Sequence, residues 1–380
     1  MDNPFKYGSI VEGPYFADRE TEIGELVREM ENLSRVFLIS PRRLGKTCLL
    51  FNLMKRLREN GFAVAYLDLN ACPDLSSMAV SFTQAAFRAL ESNVDKLLRM
   101  FSAFKRLRPR VSVGPDGALS AGVEVAGDSR EGLPALLEGM RSAGALAEKK
   151  ERKLVVIIDE FSDLPKYDGD SVEKALRSEI QLHKMVGYIF SGSEQSVMLE
   201  LCRDPARAFY KMGRIMGLSP IPRDIYGKFV DGWFQKAGVA VDKDCVERIF
   251  ELGEDVPYNI QRMCHILWEE SLGGKVPDHN LIESLPHIVA RQDSAHFELV
   301  WKSVSQQQKA LLMALADEPD ARPFSRDFQI KYALGPSSSI KASLESMTRK
   351  GVLIHRQQGG YAFADMFMRY WLLGLSGRGN

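Results

Sequence analysis

Cysteine is scarce and unpatterned. Cys48, Cys72, Cys202, Cys245 and Cys264 are scattered over 380 residues without Cys-x-x-Cys spacing. An odd, dispersed set excludes a disulfide framework or a thiolate zinc site and reads as free thiols in a reducing compartment. The 6 histidines are equally dispersed, and His265, set among Met263, Cys264, Ile266 and Leu267, reads as a core residue. No Ser/His/Asp constellation and no dinucleotide fingerprint stands out. Nor is there an excess of charge: 50 Lys and Arg balance 50 Asp and Glu, so the global balance calls for neither nucleic acid nor a membrane surface. No apolar run approaches the roughly 18 residues of a spanning helix, and Met1-Asp2-Asn3-Pro4 does not open a basic, apolar leader. A cytoplasmic protein without membrane contact is expected.

What is present is a phosphate loop. The apolar run Val36-Phe37-Leu38-Ile39 feeds Ser40-Pro41-Arg42-Arg43-Leu44-Gly45-Lys46-Thr47, which opens into Cys48-Leu49-Leu50-Phe51. A strand delivering a tight loop onto a helix N-terminus points backbone N–H groups and the positive end of the helix dipole at one spot, which suits a triphosphate. The pattern is G-x-x-x-x-G-K-[ST] with Ser40 at the first position, so a side chain must be accommodated in that turn. Phosphates of ATP or ADP are expected against Pro41, Arg42, Arg43, Leu44, Gly45, Lys46, Thr47 and Cys48. Lys46 would reach the β- and γ-phosphates and the Thr47 hydroxyl would ligate Mg²⁺.

The run Lys153-Leu154-Val155-Val156-Ile157-Ile158-Asp159-Glu160 is apolar until two carboxylates close it. Such a run reads as a strand covered on both faces, as in a parallel sheet. Asp159 at its carboxyl end would hold the Mg²⁺ shell, and Glu160 would polarise a water for in-line attack on the γ-phosphorus. Alternating strands and helices fit a three-layer α/β nucleotide-binding domain: a strand at residues 62–69, a long helical region over 76–107, a helix over 132–150, and a strand at 187–193. Between 109 and 125 an Asp116-Gly117 turn between alternating residues predicts a hairpin insert.

Farther on, residues 222–295 show helical apolar spacing, and residues 296–380 read as three helices (306–316, 326–332 and one ending near Arg349) followed by a hairpin. That hairpin pairs Val352-Leu353-Ile354-His355-Arg356 with Tyr361-Ala362-Phe363-Ala364 across Gln357-Gln358-Gly359-Gly360, forming a wing. From Trp301 to Asn380 there are eleven Lys or Arg against six Asp or Glu. Lys341, Arg349, Lys350 and Arg356 would neutralise phosphates if the winged helix meets DNA; Glu345 on the same exposed face opposes close phosphate approach. DNA and a protein partner both stay open, and the apolar final helix from Met366 reads first as core, then as a dimer contact.

The run Phe16-Ala17-Asp18-Arg19-Glu20-Thr21-Glu22-Ile23, the Pro-Arg-Arg-x-Gly-Lys-Thr loop, Asp159-Glu160-Phe161, Phe190-Ser191-Gly192-Ser193 and Asp255-Val256-Pro257-Tyr258-Asn259 together resemble the prokaryotic archaeal ATPase group of the AAA+ superfamily, near its STAND branch. The resemblance spans nearly the whole chain. It implies a Walker A and Walker B ATPase core over 1–221, a helical lid over 222–295 and a winged helix over 296–380. It further implies that Ser193 or Ser191 senses the γ-phosphate, that Pro257 approaches the adenine, and that an arginine, with Arg203, Arg207 and Arg214 placed for it, completes the site within a homo-oligomer. The expected function is slow Mg²⁺-dependent ATP hydrolysis coupled to the winged helix; the competing expectation is a nucleotide-held switch with negligible turnover.

Overall fold

The computed structural model describes residues 2–113, 119–127, 129–167, 169–271, 277–356 and 359–377. The chain divides into two compact units, one of residues 8–226 with 256–258, the other of residues 1–7, 227–255 and 259–380.

In the first unit, α1 (Glu20–Glu31) precedes β1 (Arg35–Ile39), and α2 (Lys46–Glu59) carries the chain to β2 (Ala63–Asp68). Next come α3 (Leu75–Leu90), α4 (Val94–Phe101), the hairpin strands β3 (Leu107–Val113) and β4 (Leu119–Val125), and α5 (Gly132–Lys149). The acidic strand β5 (Leu154–Asp159), α6 (Asp170–Leu182), β6 (Val186–Gly192), α7 (Gln195–Arg203) and β7 (Arg214–Gly217) complete it. The main sheet is parallel, in the order β2-β5-β6-β1-β7. Every residue of β5 and β6 is buried, as their unbroken apolar runs require when helices cover both faces. The order puts β6 between the loop strand and the acidic strand, so the carboxyl ends of β1, β6 and β5 stand side by side.

The long helical region expected over 76–107 is instead two helices and the start of a strand. Asp74 and Ser77 close a capping box that starts α3 at Leu75. Glu91 then turns extended, and Asn93 accepts the Lys96 N–H at 3.0 Å to begin α4. A side chain able to cap competes with helix continuation. The predicted hairpin is formed, with Leu107 opposite Val125 and Val113 opposite Leu119; its Asp116-Gly117 turn lies outside the described residues.

Beneath the site, Phe37 stacks on Phe190 with centroids 4.8 Å apart, and Phe161 lies 4.6 Å from Phe190. Phe161 is fully buried, an anchor of about 3 kcal/mol. Glu160, immediately before it, adopts a left-handed backbone (φ 49°). Anchoring Phe161 below the sheet while Asp159 ends the strand forces that turn and lifts Glu160 onto the rim.

The other unit contains α8 (Arg223–Lys236, from Gly227 onward), α9 (Lys243–Leu252), α10 (Pro257–Ser271, from Asn259 onward), α11 (His279–Gln292) and α12 (Ser294–Ser303). Then follow α13 (Gln306–Asp317), α14 (Arg326–Lys331), α15 (Ser337–Arg349), the hairpin β8 (Leu353–His355) and β9 (Tyr361–Phe363), and α16 (Met366–Leu375). Ser305 and Gln308 form a capping box that fixes the start of α13. Three helices and a wing are formed as expected, the wing strands being shorter than the residues 352–356 and 361–364 assigned to them. Gln357 and Gln358 of its turn lie outside the described residues. Residues 2–7 belong to this unit: Phe5 is fully buried, 5.0 Å from the Phe234 ring, and Asn3 donates to the His265 carbonyl at 3.0 Å. His265 is therefore not a core histidine. It is half-buried, its Nδ1 donates to the Phe5 carbonyl at 2.8 Å, and its Nε2 lies 3.1 Å from Glu269. No described helix is long and apolar enough to cross a membrane.

Candidate functional site

The loop between β1 and α2 is shaped by two left-handed residues, Arg43 (φ 69°) and Gly45 (φ 83°), the latter standing as the N-cap of α2. Gly45 meets this demand without a steric cost; Arg43 meets it against one. Ser40 is not left-handed. It is fully buried, its N–H donates to the Gly192 carbonyl at 3.2 Å, and its hydroxyl donates to the Pro41 carbonyl at 2.9 Å. A side chain is thus tolerated at the loop's first position because the backbone there does not need glycine.

Lys46 and Thr47 open α2, where the first turn leaves N–H groups without helical acceptors. The Lys46 ammonium, almost fully buried, sits 2.5 Å from Asp159 Oδ1 and 2.8 Å from Glu160 Oε1. Asp159 Oδ1 also accepts the Glu160 N–H at 2.9 Å, and its Oδ2 accepts the Tyr66 hydroxyl at 3.0 Å. Glu160 Oε2 accepts the Ser193 hydroxyl at 2.8 Å. Loop lysine, strand carboxylates and Ser193 form one hydrogen-bonded network across three neighbouring strand ends. Ser191 takes no part: its hydroxyl is buried in β6 with no partner among the described residues.

Thr47 and Asp159 offer two hard oxygen donors. That is the kind of sparse protein set by which Mg²⁺ is usually held, with water and phosphate oxygens filling the other positions. Asp68 stands in register with Asp159 on the adjoining strand. Burial pushes its carboxyl above the usual range, and the charges of Asp159 and Glu160 push the same way. Burial, followed by the Asp159 charge, likewise holds the Tyr66 phenol well above its ordinary range.

Around this network the other expected residues separate. Pro41 is half-buried, Leu44 buried, and Arg42 exposed and paired with Glu194 at 2.7 Å. Cys48 faces the Ser9 carbonyl at 4.0 Å, its thiol pushed up by burial. Pro257 accepts the Tyr226 hydroxyl at its carbonyl (3.3 Å), and the next residue, Tyr258, lies 4.9 Å under the Arg43 guanidinium. The segment 256–258 is thereby brought beside the loop within one unit. Of the three arginines, Arg207 is locked onto buried Glu173 and onto Glu200. Arg214 pairs with Glu25 at 2.5 Å and Glu29 at 2.9 Å, in register with Val36 at the amino end of β1, the end away from the loop. Arg203 closes α7, exposed and without an ion pair among the described residues.

Three residues escaped the sequence reading. Tyr66 and Asp68 belong to the site through the sheet order, for which the only sequence signal is that β2, like β5, ends in aspartate. Arg19 is almost fully buried and supports the loop from behind, donating to the Leu44 carbonyl at 3.1 Å, the Ser219 carbonyl at 2.7 Å and Glu22 at 2.6 Å.

A family model described as "ATPase domain predominantly from Archaea" matches residues 16–263. The chain belongs to this ATPase family. A second model, "Probable winged helix domain", matches residues 295–374. The archaeal ATPase fold extends over the whole chain in solved structures. The Walker-type ATPase PABY2304 of Pyrococcus abyssi is 16% identical, covers 97% of this chain and 99% of its own, and has a TM-score of 0.64. The Aeropyrum pernix ORC2 protein, solved as ADPNP-ADP complexes, is 13% identical over 99% of this chain and 98% of its own, with a TM-score of 0.57. The ORC1 protein of the same organism, solved with DNA, is 13% identical over 98% and 95%, with a TM-score of 0.52. No curated protein matches the chain. The fold is thus a parallel-sheet P-loop ATPase core with a helical region and a winged helix.

Proposed function

We propose that this ATPase-family protein binds ATP with Mg²⁺ at the loop around Lys46 and hydrolyses it, with Glu160 as the base that activates water. The observation that carries the reading is the Lys46–Asp159–Glu160–Ser193 network at the joined ends of β1, β5 and β6. The N–H groups opening α2 and the Lys46 ammonium take the β- and γ-phosphates. Once Lys46 turns to phosphate, Glu160 keeps its bond to Ser193 on one oxygen and has the other free to accept a proton from a water aligned with the γ-phosphorus. Thr47 and Asp159 would hold Mg²⁺, which when bound neutralises charge on the β- and γ-oxygens. Pro257 and Tyr258, beside Arg43, would contact the base.

The division proposed is an ATPase core over 1–221, a lid over 222–295 and a winged helix over 296–380, with nucleotide state passed from core to winged helix. DNA is one partner for that module, consistent with the DNA-bound ORC1 fold. Its cations are partly engaged, however: Arg356 with Asp320, Lys350 with the Ser303 carbonyl at 3.0 Å, and Lys341 with Glu345 at 3.9 Å. Phe324, Ile330 and Ile354 are exposed at 46%, 68% and 49%, which favours a protein partner as the second reading. Arg203 is the arginine available to a second copy in a homo-oligomer.

The test is Glu160→Gln. Loss of turnover by at least about 100-fold with ATP binding retained supports the hydrolytic reading; a wild-type turnover no greater than that of the variant makes the protein a nucleotide-held switch.

A further inference from the structure

The outer edge of β2 opens into a cavity. β2 ends the sheet order, paired with β5 on one side only. The Ala63 N–H donates to the Lys153 carbonyl at 2.9 Å. Peptide groups alternate sides along a strand, so the N–H and C=O groups of Val64 and Tyr66 point away from β5. They face a cleft of about 440 Å³ walled by the end of α2 on one face of the sheet and by α3 on the other. On α3 the wall is Ala85, Arg88 and Ala89, of which the two alanines are too small to cover the strand.

The rim is basic. Arg58, Arg88 and Arg152 line the cleft, all three exposed, and no acidic residue lines it. Arg58 and Arg152 have no carboxylate partner among the described residues, while Arg88 donates to the Ala121 carbonyl at 2.8 Å. The arginines gather toward the amino end of β2, opposite the end that carries Asp68 and the nucleotide site. Unpaired strand edges are usually blunted by a bulge, a proline, a covering helix or flanking charge; on this one the flanking charge is all positive, so it repels basic strands and attracts acidic ones.

We propose that the β2 cleft is a docking site for an extended acidic segment of a partner protein, which adds to the sheet as a further parallel or antiparallel strand. The edge supplies main-chain hydrogen bonds at Val64 and Tyr66, and the arginines select carboxylates on the incoming strand. An uncharged or basic strand lacks the second interaction; an acidic helix lacks the first.

The test uses the full chain and a fluorescein-labelled peptide of alternating glutamate and valine. A second peptide of the same sequence carries N-methyl groups on alternate residues, which removes strand pairing without changing charge. The proposal expects saturable binding of the first peptide, weakened at least tenfold both by Arg58→Glu with Arg152→Glu and by N-methylation. Melting temperature of the double variant confirms that it is folded, both arginines being on the surface. No binding by the wild type overturns the proposal. So does binding that N-methylation leaves unchanged, which is charge attraction without strand addition, or binding that the double variant leaves unchanged.

Discussion

Tyr66 lies on the neighbouring strand of the sheet, yet it holds one of the two oxygens of Asp159, and its removal has a calculable consequence. The hydroxyl–Oδ2 distance is 3.0 Å, and the Asp159 side chain is only 5% exposed, so water does little to screen or replace the bond. A hydrogen bond to a charged acceptor is worth about 1.5–3 kcal/mol. Asp159 keeps Lys46 and the Glu160 N–H on its other oxygen, so Tyr66→Phe frees the carboxylate to rotate without releasing it. If roughly half of the bond's energy serves to aim Oδ2 at Mg²⁺, half-maximal turnover needs about three- to tenfold more Mg²⁺, at 1.4 kcal/mol per decade. The phenylalanine retains the ring contact with Phe51, whose centroid is 5.3 Å away, so the cost to the fold is confined to the bond itself, about 1.5–3 kcal/mol. Turnover against Mg²⁺ concentration is the assay, accompanied by Mg²⁺-dependent binding of a fluorescent ATP analogue. A Tyr66→Phe protein that titrates with Mg²⁺ as the wild type does in both measurements refutes the role.

Other substitutions probe the supports of the site. Arg19→Ala strips three acceptors of a buried guanidinium and should cost about 3 kcal/mol in denaturant unfolding, with weaker ATP binding because the Leu44 carbonyl loses its tether; an unchanged midpoint contradicts the assignment. Arg207→Ala should destabilise by a similar amount through stranded, buried Glu173, while turnover per folded molecule stays at the wild-type value; a selective loss of turnover in a stable variant would restore it as a catalytic arginine. His183 is buried, with Nδ1 2.6 Å from the Tyr188 hydroxyl. Burial holds its pKa below the ordinary 6.5, against the pull of Glu179. The folded state therefore favours the neutral ring, so this contribution is complete above pH 6.5 and is lost as pH falls through the lower folded value. Urea midpoints measured between about pH 7 and 5 should fall more steeply for the wild type than for His183→Gln; parallel curves contradict that sign.

The arrangement at the loop was legible because each element announces itself locally. An apolar strand before the loop, Gly45-Lys46-Thr47 at its end and two carboxylates closing β5 need no tertiary information to be read. Ser193 was distinguishable from Ser191 only by where β6 ends, which the sequence leaves open; Ser191 lies inside the strand, and Ser193, just beyond it, donates to Glu160. Tyr66 and Asp68 were hidden because β2 precedes β5 by a long stretch of chain and meets it only through the sheet register. Arg19 looked like one more charged residue at a helix start, and nothing in its neighbours tells that the Leu44 and Ser219 carbonyls converge on it. Arg207 and Arg214 show a different gap: both stand where a site arginine could follow in the chain, and the sequence does not tell that Glu173, Glu25 and Glu29 pair with them. The break between α3 and α4 was legible in principle from Asn93, whose capping ability outweighed the surrounding helical periodicity.

The account stands most directly on the loop lysine. Equilibrium binding of a fluorescent ATP analogue with Mg²⁺, alongside steady-state phosphate release, should be measured for the wild type and Lys46→Ala at several protein concentrations. The account predicts saturable binding and turnover in the wild type, both lost in the variant, which stays folded at the assay temperature although its melting temperature falls because buried Asp159 loses its cation. Binding and turnover that survive in Lys46→Ala would contradict it.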